Sequence, residues 1–295
     1  MVSSEMQHND TMRASLVLVV GGMMWGLYWI PVRFFFDLGL TGPWPGIAMY
    51  CSALLFLFPL VWRDRQALAS QWKDLVLSGM FTGAAFSMYS ISLVYTDVVR
   101  SILLFYLTPI WGTLLGLIFL KEGLGPRRII GLVCGLGGLF VVLGGAGGFP
   151  LPQNIGDWLA LASGICWALG TLGLYRTRNI APSGQVLAFV LGAVALSVLS
   201  LAFLPGPITP HIAGPDTTKV LGFVLLSALY ILPMTFMTIW PATRLSPARV
   251  GLLLMSEVVV GLASAAALSG EHFGIRELLG AILIVSAAVL EIVRK

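Results

Sequence analysis

RSILLFYLTPIWGTLLGLIFLKEGLGPRRIIGLVCGLGGLFVV, residues 100–142, reads as two apolar helices joined by a short charged turn at 121–128. The chain says nearly the same thing again 149 positions later. Arg100 falls on Arg249, Gly112 on Gly261, Glu122 on Glu271, Gly125 on Gly274, Arg127 on Arg276 and Gly131 on Gly280. Two helices and the turn between them recur in register without a gap, which is the mark of a duplicated architecture. A shorter echo aligns GGMMWGLYW at 21–29 with SGICWALGT at 163–171, placing Trp25 on Trp167.

Composition says where such helices reside. The 295 residues are 58% hydrophobic and 10% charged, with a mean hydropathy of +0.93. A soluble domain is about 45–50% apolar and about 25% charged. The chain is therefore expected to be an all-α integral membrane protein. Its net charge of +4 does not point to nucleic acid, because the positive side chains sit at helix ends, where they set topology. Cys51, Cys134 and Cys166 lie inside apolar runs without metal-type spacing and read as small buried hydrophobes. The first 13 residues show no basic segment leading into a short apolar core with a cleavage site, so the first span is expected to stay in the mature protein.

A membrane-spanning helix needs roughly 20 apolar residues. Ten stretches qualify: 14–36, 43–62, 74–96, 101–119, 127–145, 157–175, 183–204, 219–240, 248–268 and 275–292. With the N-terminus inside, only Arg33, Arg100, Lys219 and Arg276 of the 17 Lys and Arg fall on the outer side. The positive-inside rule then places both termini in the cytoplasm of a multi-pass protein of the cell inner membrane. Residues 1–13 form a cytoplasmic tail, 14–146 a first five-helix repeat, 147–156 an outer linker and 157–295 a second repeat. An odd number of spans per half makes the second copy enter the membrane upside down. The turn charges agree, since Arg128 of the first copy becomes Glu277 in the second. Ten helices as two inverted five-helix repeats suit a transporter that opens one site to either side in turn. A channel would show a filter-like sequence or an acidic ring, and neither is visible.

Ten spans, a Trp midway along the first helix of each half, and L-T-P-I-W-G followed by KEGLGPRRIIG resemble the drug/metabolite transporter superfamily. Within it the chain is similar to the ten-helix EamA-type exporters, over essentially its whole length. The second copy departs by carrying Val258 where the first has Pro109. The aromatic-rich inner helices look most like the YddG-type aromatic amino-acid exporters. This resemblance implies export of small metabolites from a central cavity lined by both halves, without an ATP-binding domain. The sequence agrees to the extent that it holds no G-x-x-x-x-G-K-[ST] loop.

Glu257 is the one ionisable side chain at the middle of a span, where a central charge costs about 2.5–3.5 kcal/mol. Such residues face a cavity or a partner. Glu257 reads as a binder of a substrate ammonium or a proton-coupling carboxylate; the alternative is a structural Glu hydrogen-bonded between helices. In the first repeat its place is taken by Thr108. Trp25, Tyr28, Trp29, Tyr89, Tyr106, Trp111, Trp167 and Tyr230 lie at mid-depth, where an N–H or O–H finds no partner in lipid. Cavity lining is expected of Trp25, Trp167, Tyr89 and Tyr230, with simple packing as the alternative. Trp44, Trp62 and Trp72 are interface anchors. Ser92, Thr108 and Ser256 supply further polar groups for a substrate.

Pro109, Pro233 and Pro241 read as fixed bends. Gly112-x-x-x-Gly116 and Gly131-x-x-x-Gly135 read as packing seams within one monomer. His8, His211 and His272 lie in the tail and loops, so no metal site, cofactor or catalytic residue is expected. No lysine is buried, which argues against anionic substrates such as sugar phosphates and leaves a zwitterionic amino acid or a hydrophobic cation. An intramembrane enzyme would need paired central acids, a Ser/His pair or H-E-x-x-H, and Asp37, Asp97, Asp157 and Asp216 sit at helix ends or in loops. A scaffold would not require an inverted repeat. The expected partners are thus a small-molecule substrate and membrane lipids, for a carrier that works as a monomer.

Overall fold

The computed structural model describes residues 2–108, 110–111, 114, 125–143, 152–176, 180–206, 209–210, 217–242, 244–245, 247–271 and 273–292, and the regular elements among them are all helical. Pro109, Gly112, Gly116, Lys121, Glu122, His211 and His272 lie outside the described residues, as does the 147–151 part of the expected linker.

Prolines decide where two of the expected spans break. The first span, expected at 14–36, is two helices, α1 (Val2–Gly26) and α2 (Trp29–Asp37). Pro31 has no N–H for the Leu27 carbonyl four residues back, and its ring crowds that carbonyl. The Leu27 carbonyl takes the Ile30 N–H at 3.0 Å instead, and the chain tightens at 27–28. After α3 (Trp44–Ser70) and α4 (Trp72–Tyr95), the fourth span begins as the short helix α5 (Val98–Phe105) and turns at 106–107. The proline at position 109 cannot serve the Phe105 carbonyl, and Thr108 Oγ1 donates to it at 2.7 Å.

The remaining helices are α6 (Pro126–Leu143), α7 (Ile155–Arg176), α8 (Pro182–Ser200), α9 (Thr217–Ala242), α10 (Pro247–Leu268) and α11 (Ile275–Ile292). Five described stretches are long and apolar enough to cross a membrane: Asp10–Asp37, Trp44–Gln66, Trp72–Tyr95, Pro182–Ser200 and Thr217–Ala242. Ile129–Val142 and Leu253–Leu268 are shorter apolar helices. Helix α1 starts at Val2, so residues 2–13, expected as a tail, continue it.

The strongest packing joins helices from opposite halves of the chain: α4 with α7 and α8, α6 with α11, α1 with α10 and α9, and α3 with α8. Exchange the halves, and α4·α7 becomes α9·α1, α4·α8 becomes α9·α3, and α1·α10 becomes α7·α5; all of these contacts are present. The sequence repeat is therefore matched by a repeated pattern of packing. Glycines permit the close approach. A Cβ on Gly192 would lie 2.1 Å from the Gly79 carbonyl oxygen, and one on Gly83 would lie 2.3 Å from the Ala193 nitrogen, so α4 and α8 touch backbone to backbone. Gly138 does the same service between α6 and α11, against Ile284 and the Gly280 carbonyl, while Gly135 makes room for the Ile110 side chain.

Candidate functional site

Helix interiors deliver aromatic rings to one place. Phe86 of α4 stands at the centre, with ring centroids 4.0 Å from Trp25, 5.1 Å from Trp167, 5.3 Å from Phe189, 5.7 Å from Phe105 and 6.1 Å from Tyr89. Tyr28, on the bend between α1 and α2, lies 5.4 Å from Trp25 and 6.4 Å from Tyr89. Tyr106 sits edge-on to Phe105 at 5.4 Å. Edge-to-face and offset geometries of this kind are the favourable ones for aromatic pairs.

Glu257 of α10 is brought against this cluster. Its side chain is buried, and its Oε1 has no hydrogen-bond partner among the described residues. Tyr106, Tyr89 and Tyr230 lie close enough to the carboxyl to feel its charge. Backbone contact holds it there: a Cβ on Gly26 would lie 2.6 Å from the Glu257 carbonyl oxygen, so α1 and α10 meet at this residue. A buried carboxylate oxygen without a donor is costly and calls for a proton or a cation.

The other expected residues divide into two groups. Trp25, Tyr28, Tyr89, Tyr106, Trp167 and Tyr230 gather around Phe86 and Glu257. Several of these are also bound to the protein: Trp25 Nε1 donates to Thr238 Oγ1 at 2.9 Å, Tyr28 and Tyr50 share a hydroxyl bond of 3.0 Å, and the Tyr230 hydroxyl donates to the Met24 carbonyl. Tyr106 OH also reaches the Leu254 carbonyl at 3.3 Å. The second group is turned to other partners. Trp29 Nε1 donates to Ser264 Oγ at 3.0 Å, Ser92 Oγ bonds the Tyr89 carbonyl at 2.7 Å and Ser101 at 3.1 Å, and Ser256 Oγ bonds the Val19 carbonyl at 3.1 Å. Thr108 is committed to Phe105. The indole N–H of Trp111 is buried without a partner among the described residues, like Glu257 Oε1.

Sequence reading missed Phe86, Phe105 and Phe189, because a phenylalanine in an apolar run has no polar group to single it out. It also missed a polar clasp at one end of the bundle. Arg33 donates to the Thr96 carbonyl at 2.8 Å and to Glu271 at 3.2 Å. The Glu271 carboxylate caps the start of α5 through Val98 N–H. Arg100 pairs with the buried Asp157, with Nη2 to Oδ2 at 2.5 Å, and Asp157 also accepts from Thr96 Oγ1 at 2.8 Å and Gln153 N–H at 2.9 Å. Arg33 and Arg100 are thus tied down by acids from the other half. At the opposite end, where α1 starts, a cavity of about 440 Å³ lies between the halves. Val17, Arg63 and Asp64 line it from one side, and Ser183, Met237 and Trp240 from the other. Among the described residues no group of three or more His, Cys, Asp or Glu could hold a metal ion.

Apolar helices, a duplicated chain and a buried carboxylate among aromatic rings define a membrane carrier. The EamA-like transporter family matches residues 12–144 and again 154–292, so the chain belongs to that family and is built from two copies of its unit. A probable amino-acid metabolite efflux pump of Salmonella typhimurium is 27% identical over 186 residues, 60% of this chain and 62% of that protein. The match therefore spans about three fifths of that relative's length. The uncharacterized transporter YojE of Bacillus subtilis is 24% identical over 84% of this chain and 83% of its own length. YoaV of the same organism is 22% identical over 89% and 90%. A crystal structure superposes with a TM-score of 0.59 over 95% of this chain and 96% of its own, at 19% identity, which speaks for the fold.

Proposed function

We propose that this transporter exports small amphiphilic metabolites, with aromatic and other hydrophobic amino acids as its substrates. The carrying observation is the partnerless, buried Oε1 of Glu257 beside Tyr106 and the Phe86-centred aromatic cluster. In this reading Glu257 takes the substrate ammonium, or the proton that exchanges with it, and the rings of Trp25, Tyr28, Tyr89, Trp167 and Tyr230 receive the side chain. Tyr106 stands beside Glu257, and Trp29, Ser92, Thr108 and Ser256 lie in the surrounding layer and release their present partners as the site opens. The Salmonella relative, a probable amino-acid metabolite efflux pump, favours the same substrate class.

The protein crosses the inner membrane ten times, as five-helix repeats at 14–146 and 157–295 of opposite orientation joined through 147–156, with both termini in the cytoplasm. The exchange of packing pairs between the halves supports that arrangement. Transport proceeds by alternating access. The clasp of Arg33, Glu271, Arg100 and Asp157 closes the outer end, and the cavity at Val17, Asp64 and Trp240 is the cytoplasmic approach, ending at Met237 beside the Thr238–Trp25 bond.

A second reading is export of lipophilic cations, because a carboxylate ringed by aromatic faces also suits cation–π binding. A substrate panel on proteoliposomes separates the two. Inhibition of labelled tryptophan efflux by phenylalanine and tyrosine, and not by tetraphenylphosphonium, supports the amino-acid reading; the reverse pattern replaces it with the cation reading.

A further inference from the structure

We propose that the groove between α3, α4 and α8 is a site for one anionic glycerophospholipid, its headgroup held by Arg65 and Lys73 and an acyl chain laid along the groove. The proposal rests on the chain's membership of a membrane transporter family and is independent of what it carries.

The groove has a volume of about 460 Å³ and apolar walls, among them Leu68, Leu75, Met80, Leu187, Leu191 and Ala195. Along α8 it runs from Gly184 to Ala195. At 1.5 Å per helical residue that is about 16 Å. Half of a hydrocarbon core about 30 Å thick is about 15 Å, so the groove has the depth of one leaflet. Its outer lip is apolar and exposed at Val76, Met80 and Leu191, and so faces the membrane. The backbone seam of Gly79 and Gly83 with Gly192 closes the way between groove and aromatic cluster, which makes this a perimeter site separate from the transport path.

The charges collect at one end. Trp62 and Trp72 are 58% and 56% exposed there, the setting of rings at headgroup level. The Arg65 guanidinium lies 4.8 Å from the Trp62 ring centroid and donates to the Trp62 carbonyl at 2.8 Å, which fixes it at the mouth it lines. Lys73 Nζ lies 5.9 Å from the ring of Trp72, a wall residue. Of the nearby acids, Asp64 is engaged by Arg63 at 3.2 Å and by Ser183 at 2.8 Å, leaving Asp74 as the opposing charge. Two cations over an apolar trough one leaflet deep complement a phosphodiester with a net negative charge and a long chain. A zwitterionic lipid would bring its own ammonium to the same cations, and a peptide helix about 10 Å across needs more room than about 460 Å³ spread along about 16 Å.

The test is native mass spectrometry of the full-length protein in neutral detergent, equilibrated with equal amounts of phosphatidylglycerol and phosphatidylcholine carrying identical chains. The wild type should retain one phosphatidylglycerol with about tenfold preference. Arg65→Gln/Lys73→Gln should lose that preference while staying monodisperse, and Arg65→Lys/Lys73→Arg should keep it. Glycerol phosphate, which has the charge and no chains, should not displace the lipid. Equal retention of the two lipids by the wild type, or preference surviving in the double Gln variant, would overturn the proposal. Displacement by glycerol phosphate would overturn the acyl-chain half of it.

Discussion

Both carboxylate oxygens of Glu271 accept the backbone N–H of Val98, at 2.8 and 3.0 Å, across 173 positions of sequence. A loop from the second half thereby caps a helix of the first half, and the same carboxylate holds Arg33. The arrangement puts a full negative charge where the α5 dipole is positive and where orphan N–H groups need acceptors. The bond therefore ties the two halves of the chain together at this end of the bundle.

Glu271→Ala removes the acceptor of Val98 and one partner of Arg33. Hydrogen bonds to charged groups are worth about 1.5–3 kcal/mol, and a loss near the low end is expected because the site is partly open to water. Unfolding in an SDS titration measures it. Asp157→Asn is expected to cost more, about 3 kcal/mol, because it strands the Arg100 guanidinium beside a side chain that is wholly buried. Equal effects of the two substitutions would contradict this ranking.

Burial pushes the Glu271 carboxyl above its ordinary value of 4.5, against the pull of Val98 N–H and Arg33 and with a push from Asp97. The folded protein then holds this proton more tightly than the unfolded chain does. Its stabilising contribution is full below the ordinary value and fades as pH rises through the raised one. The stability of the wild type relative to Glu271→Gln should therefore decline as pH rises from 4 towards neutrality. A relative gain over that interval would reverse the sign of the argument.

Glycine substitutions should sort by the space each Cβ meets. Gly192→Ala drives a methyl to 2.1 Å from the Gly79 carbonyl oxygen and must part α4 from α8, with an expected loss of at least about 1–3 kcal/mol. Gly222, inside α9, has nothing within 4 Å of its Cβ. Gly222→Ala should stabilise by about 0.5–1 kcal/mol through the unfolded chain alone. Thermal unfolding in detergent reads both, and a destabilised Gly222→Ala would break the rule.

Much of the architecture was legible because hydropathy and repetition are global signals. The 149-residue offset located both halves, and each of the two matches to the family falls on one of them. Helix breaks were less legible. Pro31 was present in the sequence, yet its effect depends on the Leu27 carbonyl finding Ile30 as a substitute donor. Residues with polar handles stood out in the sequence, and of these Glu257, Tyr89, Tyr106 and Trp25 lie near one another in the fold. The centre of the cluster, Phe86, was invisible because its role comes from position alone. Salt bridges such as Arg100–Asp157 join positions 57 residues apart, and no local pattern in the sequence encodes that pairing.

The most direct measurement of the central claim is tryptophan efflux from proteoliposomes bearing wild type or Glu257→Gln, with and without a pH gradient. Glu257→Gln should slow efflux at least about tenfold, the size expected when a buried charged partner worth about 1.5–3 kcal/mol is lost. Efflux in Glu257→Gln as fast as wild type, and indifferent to pH in both proteins, would contradict it.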